Sequence, residues 1–106
     1  MKYLKTFEKR RNKPRQFDYV VINDKQLDFV ANNVGQIITN KSYTYDDGKD
    51  EMTYYVEYKN VPKKIQRYFQ EEHGAMCLIS MEDEIEFWSK NKKDAEAYLA
   101  MKKYNL

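Results

Sequence analysis

The sequence predicts an α+β domain: a small, strongly bent antiparallel sheet, closed as a partly open SH3-like barrel, with short helices and a C-terminal helix against it. Three observations predict it. Residues 35–62, GQIITNKSYTYDDGKDEMTYYVEYKNVP, alternate apolar and polar side chains on both sides of one charged turn, the pattern of a β-hairpin. Two further short runs, FDYVVIN at 17–23 and AMCLIS at 75–80, are apolar and rich in residues that fit a pleated sheet. Between and after them lie helical spacings, the longest over 92–104. A flat sheet covered on one face by helices is the alternative closure.

Residues 1–16 open with an apolar cluster, Tyr3, Leu4 and Phe7, and continue as KRRNKPR. Seven basic side chains stand there against Glu8 alone, while the remaining chain carries 12 basic and 16 acidic residues, for an overall formal charge of +2. A basic arm (1–16) thus precedes an acidic body (17–106). Lys9, Arg10, Arg11, Lys13 and Arg15 are its candidate binding residues, toward a nucleic acid or another anionic surface. The competing reading is a solvated terminus that aids solubility.

Residues 17–23 read as an interior strand, with Phe17, Tyr19 and Val21 on one face and Val20 and Ile22 on the other. Asn23-Asp24 offers a cap for a two-turn helix carrying Leu27, Val30 and Ala31, stopped near Asn33 and Gly35. In the hairpin, pairing Tyr43 with Tyr54, Tyr45 with Met52 and Thr39 with Tyr58 gathers Ile37, Thr39, Tyr43, Tyr45, Met52, Tyr54, Val56 and Tyr58 on one buried face. The turn is then Asp46–Glu51, which lacks the ligand spacing of a calcium loop. On this register Tyr55 faces outward and is the candidate aromatic anchor, with Ser42 and Glu57 exposed.

Pro62 ends the second strand and starts a short helix with Ile65, Tyr68 and Phe69 on one face, closed by Gly74. After the strand at 75–80, Met81, Ile85 and Trp88 recur at helical spacing. Residues 81–88 therefore read as a short helix capped at Ser80, the rival being a strand that presents Ile85 and Phe87 together. Asn91 can cap the last helix, with Asp94 at its positive end, Lys102 and Lys103 at its negative end, and Ala97, Tyr98 and Met101 toward the sheet.

The sequence offers little for catalysis. His73 is its single histidine, read as a surface residue at a helix end, and Cys77 is its single cysteine, read as a small core residue. One of each is too few for a typical zinc site, and three glycines leave no phosphate-cradling loop. Glu82 and Glu86 read as solvated on the outer side of the 81–88 helix. The expectation is a non-enzymatic protein with no cofactor and no metal. No run reaches the length of a membrane span, and no signal segment is visible, so a cytoplasmic location is expected.

The opening MKYLKTFE, the central YYVEYKNVP and the ending WSKNKKDAEAYLAMKKYNL together resemble small uncharacterised accessory proteins of large tailed bacteriophages. That resemblance implies expression inside an infected bacterium and a small accessory role without catalysis. Ten tyrosines and Trp88 add a surplus of aromatic surface. The functional expectation is a phage-type protein that binds, and inhibits, a host or viral protein. The alternative is a nucleic-acid-binding accessory protein using the basic arm, and a third idea has the acidic stretches 46–51 and 82–86 mimicking a phosphate backbone. The oligomeric state is left open.

Overall fold

The computed structural model describes residues 13–104. Six strands, β1 (Tyr19–Ile22), β2 (Gly35–Thr44), β3 (Asp50–Tyr58), β4 (Gln70–Glu72), β5 (Ala75–Met81) and β6 (Ile85–Ser89), form one antiparallel sheet in the order β4-β5-β3-β2-β1-β6. Helix α1 is the single turn Asp28–Ala31, α2 is Lys92–Tyr104, and 3₁₀ turns occupy Lys63–Tyr68 and Glu82–Glu84. The predicted α+β class holds. The sheet is open, with β4 and β6 at opposite edges.

Both faces of the sheet carry apolar side chains, but different elements cover them. On the inner face Val20, Ile22, Ile37, Tyr54, Val56, Tyr58 and Ile85 are buried beneath Val30, Val61 and Phe69, with Leu27, Phe29 and Ile65 packed alongside. Each fully buried side chain of this size contributes ~1.5–3 kcal/mol relative to exposure. Tyr58 meets Phe29 and Phe69 edge-on, each at 6.1 Å. On the outer face Val21 and Phe87 pack under Ala95 and Leu99 of α2, and Tyr98 stacks on Phe87 at 4.6 Å. Gly35 marks a tight approach: a Cβ there would lie 2.4 Å from Cγ1 of Val56 and 2.8 Å from Cζ of Tyr58.

The hairpin register differs from the expected one. Ile37 pairs with Val56, but Thr39 pairs with Tyr55, so Ile38 is an extra residue in β2 and the strand bulges there. Beyond the bulge Asn40 opposes Tyr54, Ser42 opposes Met52 and Tyr43 opposes Glu51. One inserted residue inverts the alternation of everything after it. Tyr54, Val56 and Tyr58 are buried as expected, whereas Tyr43 and Tyr45 turn to the outer face and are exposed. The backbone groups at the bulge are taken up from a distant segment. The Phe17 amide donates to the Ile37 carbonyl at 2.7 Å, and the Gln16 side chain donates to the Ile38 carbonyl at 2.9 Å. Phe17 therefore leaves the predicted strand; it is exposed, with φ at 72°.

The turn is also shorter than Asp46–Glu51. The Gly48 amide donates to the Tyr45 carbonyl, the Tyr45 amide to the Lys49 carbonyl, and Gly48 adopts φ of 85°. This is a type I turn followed by a left-handed glycine, a common three-residue hairpin loop. Asp50 and Glu51 belong to β3.

Residues 85–89 form a strand instead of the expected helix, preceded by a single 3₁₀ turn. Ile85 and Phe87 are both buried, and β6 pairs with β1, skipping Glu86 between Ile22↔Ile85 and Val21↔Phe87. Sheet pairing outweighed the spacing of Met81, Ile85 and Trp88; Trp88 is half-buried against the inner core. Glu86 is likewise not a solvated helix residue: Lys102 of α2 meets its carboxylate at 2.8 Å. The Glu84 carboxylate, not Ser80, caps the 3₁₀ turn by accepting from the Met81 amide. Helix α1 is shorter than the two turns expected, with Asp24 accepting from the amides of Gln26 and Leu27 at its entry.

Helix α2 has the bounds the sequence predicts, but buries Ala95 and Leu99; Ala97 is exposed. At its start the Ser89 hydroxyl donates to Asp94 and accepts from the Asn91 amide, while Asn91 contributes its backbone carbonyl to the Asp94 amide. Among the described residues no helix is long and apolar enough to cross a membrane.

Candidate functional site

The outer face is covered unevenly. Helix α2 packs over β1 and β6, where Val21 and Phe87 lie. Along β2, β3 and β5 the ladder sets Thr39, Lys41 and Tyr43 beside Tyr55, Thr53 and Glu51, and Tyr55 and Thr53 beside Ile79 and Met81. Tyr43 is 59% exposed, Tyr45 44% and Ile79 38%. Among the described helices, none packs against this half.

Its aromatic side chains are held in place by local contacts. Tyr43 and Tyr45 meet edge to face at 4.8 Å, and the Tyr45 hydroxyl donates to the Glu51 carboxylate. That hydrogen bond, followed by partial burial and the Glu51 charge, raises the Tyr45 phenol above its ordinary value of 10.0. The Lys41 ammonium sits 4.9 Å from the centre of the Tyr55 ring, a cation–π contact that keeps the ring half covered. Tyr55, the anchor named from sequence, does face outward. It is half-buried, and farther along the same face, past Lys41 and Thr53, stand two more exposed tyrosines, Tyr43 and Tyr45, that the expected register had put in the core.

Beside this patch, the two acidic stretches separated in sequence converge. Asp50 and Glu51 of β3 and Glu82 and Asp83 after β5 line one groove of about 410 Å³, with Met52 and Met81 in its wall. Lys13 also lines it, and Arg15 is exposed. Lys9, Arg10 and Arg11 lie outside the described residues. A second groove, about 500 Å³, lies between α2 and the start of β2, and mixes Lys59, Lys92 and Lys103 with Glu57 and Glu96.

His73 and Cys77 do not meet as a site. His73 occupies the two-residue turn between β4 and β5, with φ of 52° beside Gly74 at 79°, not the end of a helix. Both positive values identify a type I′ turn. Cys77 is fully buried in β5, and burial, then the charges of Glu57 and Glu72, push its thiol up to about 11. A thiol so shifted is a poor nucleophile at neutral pH. Among the described residues no cluster of three or more His, Cys, Asp or Glu side chains is arranged to hold a metal ion.

The fold and this face define a small antiparallel α+β domain whose most distinctive surface is aromatic with an acidic border. Compared with protein-family models, curated proteins and solved structures, the chain matches none.

Proposed function

We propose that this is a small non-enzymatic binding protein that engages another protein through the outer face of β2, β3 and β5. One observation carries the reading: Tyr43 and Tyr45 stand exposed on the same sheet face as Tyr55, two ladder steps along it, and α2 does not cover that half of the face. Tyrosines preorganised by ring and carboxylate contacts bring large area at small entropic cost, the character of interface anchors. The border selects the partner. Asp50, Glu51, Glu82 and Asp83, with Asp46 and Asp47 at the turn, favour a basic protein surface.

In the setting implied by the phage resemblance, the partner is a host or viral protein. Occupying a surface that otherwise binds nucleic acid is the form of inhibition this charge fits. A partly open, SH3-like curvature of this sheet belongs to the same proposal. The test is capture from bacterial lysate by three forms of the chain. They are the wild type, Tyr43→Ser with Tyr45→Ser, and an arm variant with Lys9, Arg10, Arg11, Lys13 and Arg15 replaced by Gln. A protein retained by wild type and arm variant but lost by the tyrosine variant supports the reading. Nuclease-sensitive capture that only the arm variant loses, and that falls steeply with salt, would replace it with nucleic-acid binding through the arm.

A further inference from the structure

Strand β5 is paired with β3 along residues 76–81, but β4 covers its other edge only at Ala75, Met76 and Cys77. The two-residue His73–Gly74 turn makes Glu72 and Ala75 a mutually bonded pair. The alternation of an antiparallel ladder then directs the amide and carbonyl of Cys77, Ile79 and Met81 toward the β4 side, and those of Leu78 and Ser80 toward β3. Gln70 pairs with Cys77, and the Met81 amide donates to Glu84 at 2.8 Å. Ile79 lies between these two, beyond the end of β4, where the preceding chain coils as the 3₁₀ turn Lys63–Tyr68. No backbone partner beyond β4 reaches it among the described residues.

Open edges are ordinarily guarded by lysine, proline or an inward charge. Leu78, Ile79, Ser80 and Met81 include none of these, and the Ile79 side chain is 38% exposed. We propose that this edge of β5 accepts an extended segment of the partner protein as an added strand, with lysine or arginine where the segment passes Glu82 and Asp83. The proposal rests on the protein-binding reading above and supplies its mode. An unpaired amide and carbonyl on one strand are matched by extended backbone and by little else. A second copy of this chain fits poorly: pairing Ile79 with its counterpart would set Met81 against Cys77 of the other copy, whose edge β4 already occupies.

The probe is a short synthetic peptide alternating lysine and valine, with an otherwise identical peptide N-methylated at alternate amides. In the free protein the Ile79 amide should exchange with solvent faster than those of Leu78 and Ser80. The unmodified peptide should slow it about tenfold, the effect of one hydrogen bond, and the N-methylated peptide should not. Replacing Glu82 and Asp83 by lysine should shift the preference to a glutamate–valine peptide. An Ile79 amide already protected in dilute free protein, or equal effects of both peptides, would overturn the proposal. So would protection that rises with protein concentration alone, which would make the occupant a second copy. The Tyr43→Ser/Tyr45→Ser variant should still take the peptide, so loss of capture by the aromatic patch and loss of strand addition are read separately.

Discussion

Replacing Gly35 by alanine adds one methyl group at the tightest point of the inner core. Its Cβ would stand 2.4 Å from Cγ1 of Val56 and 2.8 Å from Cζ of Tyr58, well inside van der Waals contact. Neither neighbour can move freely: Val56 is fully buried in the central strand, and the Tyr58 ring is fixed between Phe29 and Phe69. Overpacking of this kind costs ~1–3 kcal/mol, and the loss of backbone freedom in the unfolded chain returns ~0.4–1 kcal/mol. The closeness of two rigid neighbours puts the net near the upper end, at about 2 kcal/mol. For a domain of this size that lowers the melting temperature by about 8–16 °C, measurable by circular dichroism or calorimetry. Val56→Ala in the Gly35→Ala background should recover part of the loss beyond additivity, because it removes the nearest atom. A Gly35→Ala protein that melts with the wild type would show that β2 does not enter the sheet beneath Val56 and Tyr58.

Three further outcomes are expected. Among the described residues the buried Tyr58 hydroxyl has no hydrogen-bond partner, so Tyr58→Phe should stabilise the protein by ~1 kcal/mol in chemical denaturation; a loss of similar size would mean that the hydroxyl is satisfied. Burial, with Asp24 nearby, holds the Tyr58 phenol above its ordinary 10.0, and burial raises the Cys77 thiol from 9.0 to about 11. Both groups favour the protonated folded state, so their stabilisation is complete below pH 9 and is lost as pH rises through 9 to 11 and beyond. Tyr58→Phe should flatten the later part of that decline, and a decline unchanged by the substitution would remove Tyr58 as its cause. A double-mutant cycle of Glu86→Ala and Lys102→Ala should give a coupling of ~0.5–1 kcal/mol that falls with salt, as suits a half-buried pair at 2.8 Å; zero coupling at low salt would mean the contact is not held.

Much of the fold is legible in the chain. The interior character of β1 follows from apolar residues on both of its faces, the inward side of β3 from Tyr54, Val56 and Tyr58, and the bounds of α2 from its spacing. The outward tyrosines are not read so directly. Pure alternation along residues 35–45 puts Tyr43 with Ile37, and the inserted Ile38 that separates them leaves no mark in hydrophobicity. Its stabilising contacts come from Gln16 and Phe17, about twenty residues earlier, so local pattern cannot reveal them. One signal did exist. Asp-Asp-Gly at 46–48 suits a three-residue loop, which sets Thr44 against Asp50 and turns Tyr43 outward from the tip of the hairpin. Residues 81–88 were ambiguous for a different reason. Met81, Ile85 and Trp88 share helical spacing, while Ile85 and Phe87 share strand spacing, and only the unfilled edge of β1 decides between them. The acidic groove could not be read at all, since Asp50–Glu51 and Glu82–Asp83 meet only through the β3–β5 ladder.

If the outward tyrosines of the hairpin form the proposed binding surface, a partner should shield them from solvent. Tyrosine nitration, mapped by mass spectrometry on the free protein and on its complex with the captured partner, tests it most directly. In the free protein Tyr43, Tyr45 and Tyr104 should react while Tyr54 and Tyr58 stay unmodified, in line with their exposure. In the complex Tyr43 and Tyr45 should become protected, and Tyr104, at the far end of α2, should react as before. Protection of Tyr104 with Tyr43 and Tyr45 still reactive would place the interface off this face and rule out the hairpin tyrosines as its anchors.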